Sequence, residues 1–305
     1  MINYNSKREL KNFLEEQGLG MPKKFGQNFM IDPSARSKLL DALGPQRGDK
    51  VWEVGPGLGA MTKGLLERGA DLTAFEIDPA FARILRENFA GELFAGENIP
   101  GFRLIEGDVL KTWPSVQADD ELFLFGNLPY NIGAALLADF IERGRLFRRI
   151  VVTVQREVAR RMCAKPDSPD YSSFSVLCSS VYKVSPLFII KPASFYPQPN
   201  VDSQGVKLDL LPVQQKRSGL FYPLVRGLFS SRRKTIRNSL STFVTSVIIK
   251  GVSLSTRAES LPLRERVEGI LNRAAINGDR RPETLAVDEF NALAVCVEEI
   301  ISDGS

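Results

Sequence analysis

The segment ELFLFGNLPYNI, Glu121 to Ile132, places polar groups at the end of an apolar run. Leu122 to Phe125 predicts a buried strand, and it stops on Gly126-Asn127-Leu128-Pro129-Tyr130. Pro129 has no N–H and a fixed φ, so it stiffens the loop that presents the Asn127 amide and the Tyr130 ring. A stiff loop of this kind can orient a polar group and stack on a flat one.

Other stretches offer a second kind of chemistry. VWEVGPGLGAMT runs an apolar strand into Gly55-Pro56-Gly57-Leu58-Gly59 and then a helix. Glycines there let a ligand approach the backbone and meet the N–H groups that open the helix. Glu76 ends the next strand, 21 residues after Gly55, where a carboxylate can bind both hydroxyls of a ribose. Gly55-x-Gly57-x-x-Ala60 satisfies the relaxed dinucleotide fingerprint, so the loop alone leaves NAD(P) and S-adenosylmethionine both open. Asp108, in EGDVL after a third strand, adds a carboxylate suited to an exocyclic adenine amine. These positions outline one adenosine-shaped pocket. A dehydrogenase also needs a proton relay, and the chain has neither histidine nor a Tyr-x-x-x-Lys dyad, which weakens that reading.

The elements that must position these groups alternate. Strands are expected at Val51–Val54, Asp71–Ile77, Phe102–Ile105, Leu122–Phe125 and Ile150–Gln155. Helices are expected at Met61–Arg68, Pro79–Phe89 and Gly133–Arg143. This order implies an α/β, Rossmann-like domain with a parallel sheet. Upstream, Ser6-x-x-Glu9 reads as a capping box with Gly18 as a stop, and Asp32-Pro33 opens a helix to Leu43. Downstream, Phe174–Val184 and Val206–Leu211 read as β-rich, and FIIKPASFYPQPNVDS between them as an exposed loop. Beyond Leu211 the pattern turns helical, which divides the chain into domains 1–211 and 212–305.

Composition narrows the function further. The 305 residues are 43% apolar and 25% charged, which points to a soluble globular protein. No window approaches a membrane span, and the first residues read as a capped helix rather than a leader. Cys163, Cys178 and Cys296 lack metal-ligand spacing, so no metal is expected and a reducing cytoplasm suits the chain. Histidine-based triads, ligands and bases are excluded outright. The net charge of +4 is unevenly spread, because Leu210 to Arg257 holds nine Lys/Arg and no Asp or Glu. That run leans towards a polyanionic partner.

KKFGQNFMID, VWEVGPGLGAMT, FEIDP, GDVL, NLPY and FSSRRKTIRNSL occur in one order between about Met21 and Leu240. In these the chain resembles the ribosomal RNA adenine dimethyltransferases, and among them the type acting on small-subunit RNA. The resemblance implies a class I S-adenosyl-L-methionine-dependent methyltransferase domain followed by a helical RNA-binding domain. It implies cofactor contacts from Asn28, Met30, Gly55, Gly57, Glu76, Ile77, Asp108, Val109 and Asn127. It assigns the catalytic loop to Asn127, Leu128, Pro129 and Tyr130. The Asn127 side-chain oxygen and Leu128 carbonyl would orient an adenine N6 amine, while Tyr130 and Phe195 would stack on its ring. Arg232, Arg233, Lys234 and Arg237 would meet RNA phosphates.

The expected reaction is dimethylation of two adjacent adenosines near the 3′ end of small-subunit rRNA, by a cytoplasmic monomer with a role in late subunit assembly. The alternatives are the large-subunit enzyme of the macrolide-resistance type and a catalytically silent relative. Two residues depart from the family pattern: Arg156 stands where Lys is usual, and Ser172 where Gly is usual.

Overall fold

The computed structural model describes residues 2–19, 28–89, 101–117, 122–128, 132–212, 217–231, 233–249 and 261–302. Helix α1 (Lys7–Glu16) starts at Ser6, whose hydroxyl accepts the Glu9 N–H, and Gly18 follows its end at φ +66°. A two-residue strand, β1 (Phe29–Met30), leads into α2 (Pro33–Leu43). Asp32 caps α2 by accepting the N–H groups of Ser34 and Ala35, with Pro33 at the first position and left-handed Gly44 at the end.

Strands and helices then alternate as the sequence leads one to expect. They are β2 (Lys50–Val54), α3 (Ala60–Glu67), β3 (Asp71–Glu76), α4 (Pro79–Phe89) and β4 (Phe102–Glu106). After them come α5 (Val109–Thr112), β5 (Phe123–Asn127), α6 (Gly133–Glu142) and β6 (Arg149–Gln155). These strands lie in the order β4-β3-β2-β5-β6, all parallel. Val51, Leu72, Leu124 and Val151 are fully buried, as befits a parallel sheet covered on both faces. The chain moves outward from β2 to β4, then returns to place β5 against the other side of β2. Ligands of open α/β sheets bind at such a reversal, beyond the carboxyl ends of the strands.

Next come α7 (Arg156–Cys163), α8 (Ser173–Val181), β7 (Tyr182–Ile190), β8 (Phe195–Tyr196) and β9 (Ser203–Leu210). Antiparallel β9 and β7 extend the sheet to β4-β3-β2-β5-β6-β9-β7. A separate antiparallel ribbon pairs Phe29 with Tyr196 and Met30 with Phe195.

Three expectations change here. Ser173–Val181 is helical, not β-rich, and only from Tyr182 does the chain extend. Serine hydroxyls in this segment bond within the helix, Ser179 to the Ser175 carbonyl and Ser180 to that of Leu177, while Val176 and Cys178 are fully buried. Ser172, where the family pattern has Gly, donates its N–H to the Ser175 hydroxyl, and its carbonyl accepts the Val176 N–H. Second, the proline-rich segment is not a wholly exposed loop: Phe188 to Ile190 continue β7, and Phe195 and Tyr196 are buried. Third, the units are discontinuous. The first comprises Met1–Arg160 and Tyr182–Leu210, the second Arg161–Val181 and Leu211–Ser305.

The second unit is helical, with α9 (Phe221–Phe229), α10 (Ile236–Ile249) and the helices Leu263–Arg273 and Val287–Ser302. Its core joins Val176 of α8 with Phe221, Leu240, Val267, Ile270 and Phe290. The Tyr171 hydroxyl donates to the Leu285 carbonyl at 3.0 Å within it.

Asp32 links two parts of the first unit, because its second oxygen accepts the Ser194 hydroxyl at 3.0 Å. Its backbone donors, Ala35 foremost, hold its carboxyl below the usual range. Asp32→Ala should cost about 1 kcal/mol in urea unfolding at neutral pH. A depressed carboxyl contributes stability above its ordinary pKa and loses it on protonation, so the deficit should shrink as pH falls through that range.

Candidate active site

Gly55 follows β2 and Asn127 ends the adjacent β5: Val54 pairs with Gly126, and a β-carbon on Gly55 would lie 3.9 Å from the Asn127 carbonyl. Around this point one pocket opens, lined by Asn28, Met30, Gly55, Gly57, Asn127 and Leu128. Glu76, Ile77, Asp108 and Val109 line it too. Every described residue that the sequence assigns to the cofactor therefore meets in one cavity of the first unit.

The glycine loop takes the shape that its residue types permit. Gly57 sits at φ +57°, and a β-carbon there would come within 2.9 Å of the Phe29 ring. The Phe29 ring thus packs directly against the bare Gly57 backbone, where any side chain would clash. Phe29 in turn meets Phe81 edge to face at 5.5 Å.

Two carboxyl groups are buried in this wall. Glu76 is 2% exposed and accepts the Gly57 N–H at 3.0 Å on one oxygen and the Asp78 N–H at 2.9 Å on the other. Burial pushes its pKa up to about 7. Glu53, 1% exposed, accepts the Thr62 hydroxyl at 2.7 Å, and burial raises it to about 8, with the Glu76 charge adding to the rise. Asp108 caps α5, accepting the Leu110 N–H at 3.1 Å on Oδ1. Its other oxygen takes no part in that cap.

The Asn127 amide is oriented by its partner. Its Nδ2 donates to the Asn28 carbonyl at 2.8 Å. A carbonyl can only accept, so the Asn127 group facing it is the NH2, and Oδ1 is turned the other way. Leu128 follows with its N–H on the Thr153 carbonyl at 3.1 Å. Its side chain folds back over two glycines: a β-carbon on Gly126 would meet Leu128 Cδ2 at 2.5 Å, and one on Gly133 its Cβ at 3.2 Å. The glycine inside β5 exists to admit that leucine.

Not every expected residue joins the pocket. Phe195 is 1% exposed and packs in a core cluster with Met30, Leu39 and Ile190, so its ring faces the interior instead of an open base site. Arg237 lies in the second unit and is committed there, paired with Glu268 at 2.6 Å and with Asp279. Arg233 and Lys234 are exposed. Pro129, Tyr130 and Arg232 lie outside the described residues. Sequence reasoning missed Tyr4 and Leu10, which line the pocket from more than forty positions upstream of the glycine loop.

Among the described residues no group of three or more His, Cys, Asp or Glu could hold a metal ion. The lining suits S-adenosylmethionine: Glu76 would take the ribose hydroxyls, Asp108 the adenine amine, and Ile77 and Val109 the apolar ring faces. Hydroxyl donors favour the charged form of Glu76, so binding should expel its proton wherever the free carboxyl is protonated. Affinity for S-adenosylmethionine should therefore rise by up to about tenfold per pH unit below about pH 7 and level off above it. Calorimetry in buffers of different ionisation heat should detect the released proton, and Glu76→Gln should abolish both effects.

The sequence of residues 20–271 matches the family model described as ribosomal RNA adenine dimethylase. The chain is 41% identical to the ribosomal RNA small subunit methyltransferase A of Treponema denticola, over 96% of this chain and 94% of that one. It is 40% identical to the protein of the same name from Treponema pallidum, over 96% of each chain. A dimethyladenosine transferase from Plasmodium falciparum superposes with a TM-score of 0.71 at 24% identity, covering 86% of this chain and 94% of that one, which supports the fold. With a class I methyltransferase sheet and this match over most of its length, the chain belongs to the ribosomal RNA adenine dimethylase family.

Proposed function

We propose that this protein dimethylates N6 of two adjacent adenosines near the 3′ end of small-subunit ribosomal RNA, acting as a monomer in the cytoplasm with a further role in late subunit assembly. The observation that carries the catalytic part is the Asn127 amide, whose Nδ2 is held by the Asn28 carbonyl. Its Oδ1 is thereby left as an acceptor at the pocket. The choice of the small subunit is supported by the name shared by the Treponema relatives.

An adenine amine is a poor nucleophile because its lone pair is delocalised into the ring. Accepting its hydrogens on Asn127 Oδ1 and the Leu128 carbonyl favours a pyramidal nitrogen with a localised lone pair. Pro129 stiffens the loop and Tyr130 stacks on the extruded base, a contact worth roughly 1–3 kcal/mol. S-adenosylmethionine, when bound, supplies an electrophilic methyl on an excellent leaving group. The protein's task is alignment, which explains how a chain with no histidine can serve.

The decisive experiment supplies labelled S-adenosylmethionine with unmethylated small subunits, naked small-subunit RNA or large subunits. Label on small-subunit RNA is expected; label on large subunits alone would overturn the choice of substrate. Asn127→Ala should abolish transfer while RNA binding survives, and near-normal turnover would refute its role.

Arg233 and Lys234 are the described basic residues assigned to RNA phosphates, whereas Arg237 serves the fold of the second unit. Arg233→Ala/Lys234→Ala should weaken RNA binding and reduce the slope of log affinity against log salt by roughly 1–2. Arg237→Ala should instead lower the melting temperature, because Glu268 and Asp279 lose their partner.

A further inference from the structure

We propose that residues 4–14 form the cover of the cofactor pocket, and that Tyr4 is a positioning residue that fixes the glycine loop through the Leu58 carbonyl. The proposal rests on the reading of this pocket as the S-adenosylmethionine site.

Tyr4 and Leu10 line the same cavity as Gly57 and Glu76. The Tyr4 hydroxyl donates to the Leu58 carbonyl at 3.0 Å. That carbonyl shares a rigid peptide plane with the Gly59 N–H, which donates to the Pro56 carbonyl at 2.9 Å. One end of the plane is thus held by the turn and the other by Tyr4, and the plane leads directly into α3 at its cap, Gly59. Burial and the nearby Glu53 carboxyl push the Tyr4 phenol well above its ordinary range, so it stays a donor.

The cover is tied down from several sides. The Arg36 guanidinium donates to the carbonyls of Tyr4 at 3.4 Å and Met30 at 2.7 Å, and also to the Asn5 side chain. One cation therefore joins the cover to β1, whose Met30 also lines the pocket. In α1, Leu10 and Leu14 are buried against Phe29, Leu58, Phe81 and Ile84. Lys7 lies 5.8 Å from the Tyr196 ring centre, and Arg83 of α4 donates to Gln17. A ligand in the pocket completes this contact set, so leaving the pocket should require part of the cover to lift.

The test compares dissociation of S-adenosylmethionine from wild-type protein and Tyr4→Phe, which keeps the ring and removes only the hydroxyl. Dissociation should be about tenfold faster in the variant. The melting temperature of the cofactor-free protein should stay within about 2 °C. In wild-type protein, hydrogen exchange of the α1 amides should slow by about tenfold or more on adding S-adenosylmethionine. Unchanged dissociation would overturn the positioning role, as would a faster rate matched by a large loss of cofactor-free stability. Unchanged α1 exchange would overturn the cover. A wild-type protein that binds no S-adenosylmethionine would overturn the reading of the pocket itself, an outcome distinct from the others.

Discussion

A carboxyl group buried at the end of β3 keeps the site in register. Taking a carboxylate out of water costs several kcal/mol, and Glu76 recovers part of that from two backbone donors, each contributing about 1.5–3 kcal/mol to a charged acceptor. Those donors come from different segments, the loop after β2 and the turn after β3. The group therefore ties the loop after β2 to the end of β3, beside the reversal of the sheet. Its raised pKa shows that the compensation is incomplete. A ligand that brings hydroxyl donors completes it, so the same burial that strains the free protein favours occupancy.

What the sequence reveals of this molecule is what local chemistry decides. The cap at Asp32, the glycine turn after β2 and the alternation from Lys50 onward depend on neighbours a few residues away, and they stand in the structure as read. Ser173–Val181 misleads because Phe, Val and Cys favour strands on propensity alone, while packing against the helices of the second unit overrides that preference. Phe195 misleads for a related reason: neighbouring prolines suggest exposure, but pairing of its strand with Met30 turns its ring inward. Tyr4 is invisible as a site residue because nothing near it hints at Leu58, 54 positions away.

Charge shows the same limit. The basic run from Leu210 to Arg257 contains no acid, so each cation reads as available for a polyanion. Folding brings acids from later in the chain, and Arg237 is taken up by Glu268 and Asp279. The backbone reinforces the arrangement, since the Ile236 and Arg237 N–H groups donate to the carbonyls of Arg280 and Gly278. A count of basic residues thus overstates the charge left for phosphates.

The division of the chain between its units carries a consequence for synthesis. Arg161–Val181 belongs to the helical unit yet precedes β7 and β9, which complete the sheet of the other. As the chain emerges, Val176 and its neighbours in α8 must wait until Phe221, Leu240, Ile270 and Phe290 follow. The sheet can close first, holding both ends of that segment at Arg160 and Tyr182. The segment carrying α8 is therefore tied to the first unit at both ends by the chain itself, while its buried face is completed only by residues made later.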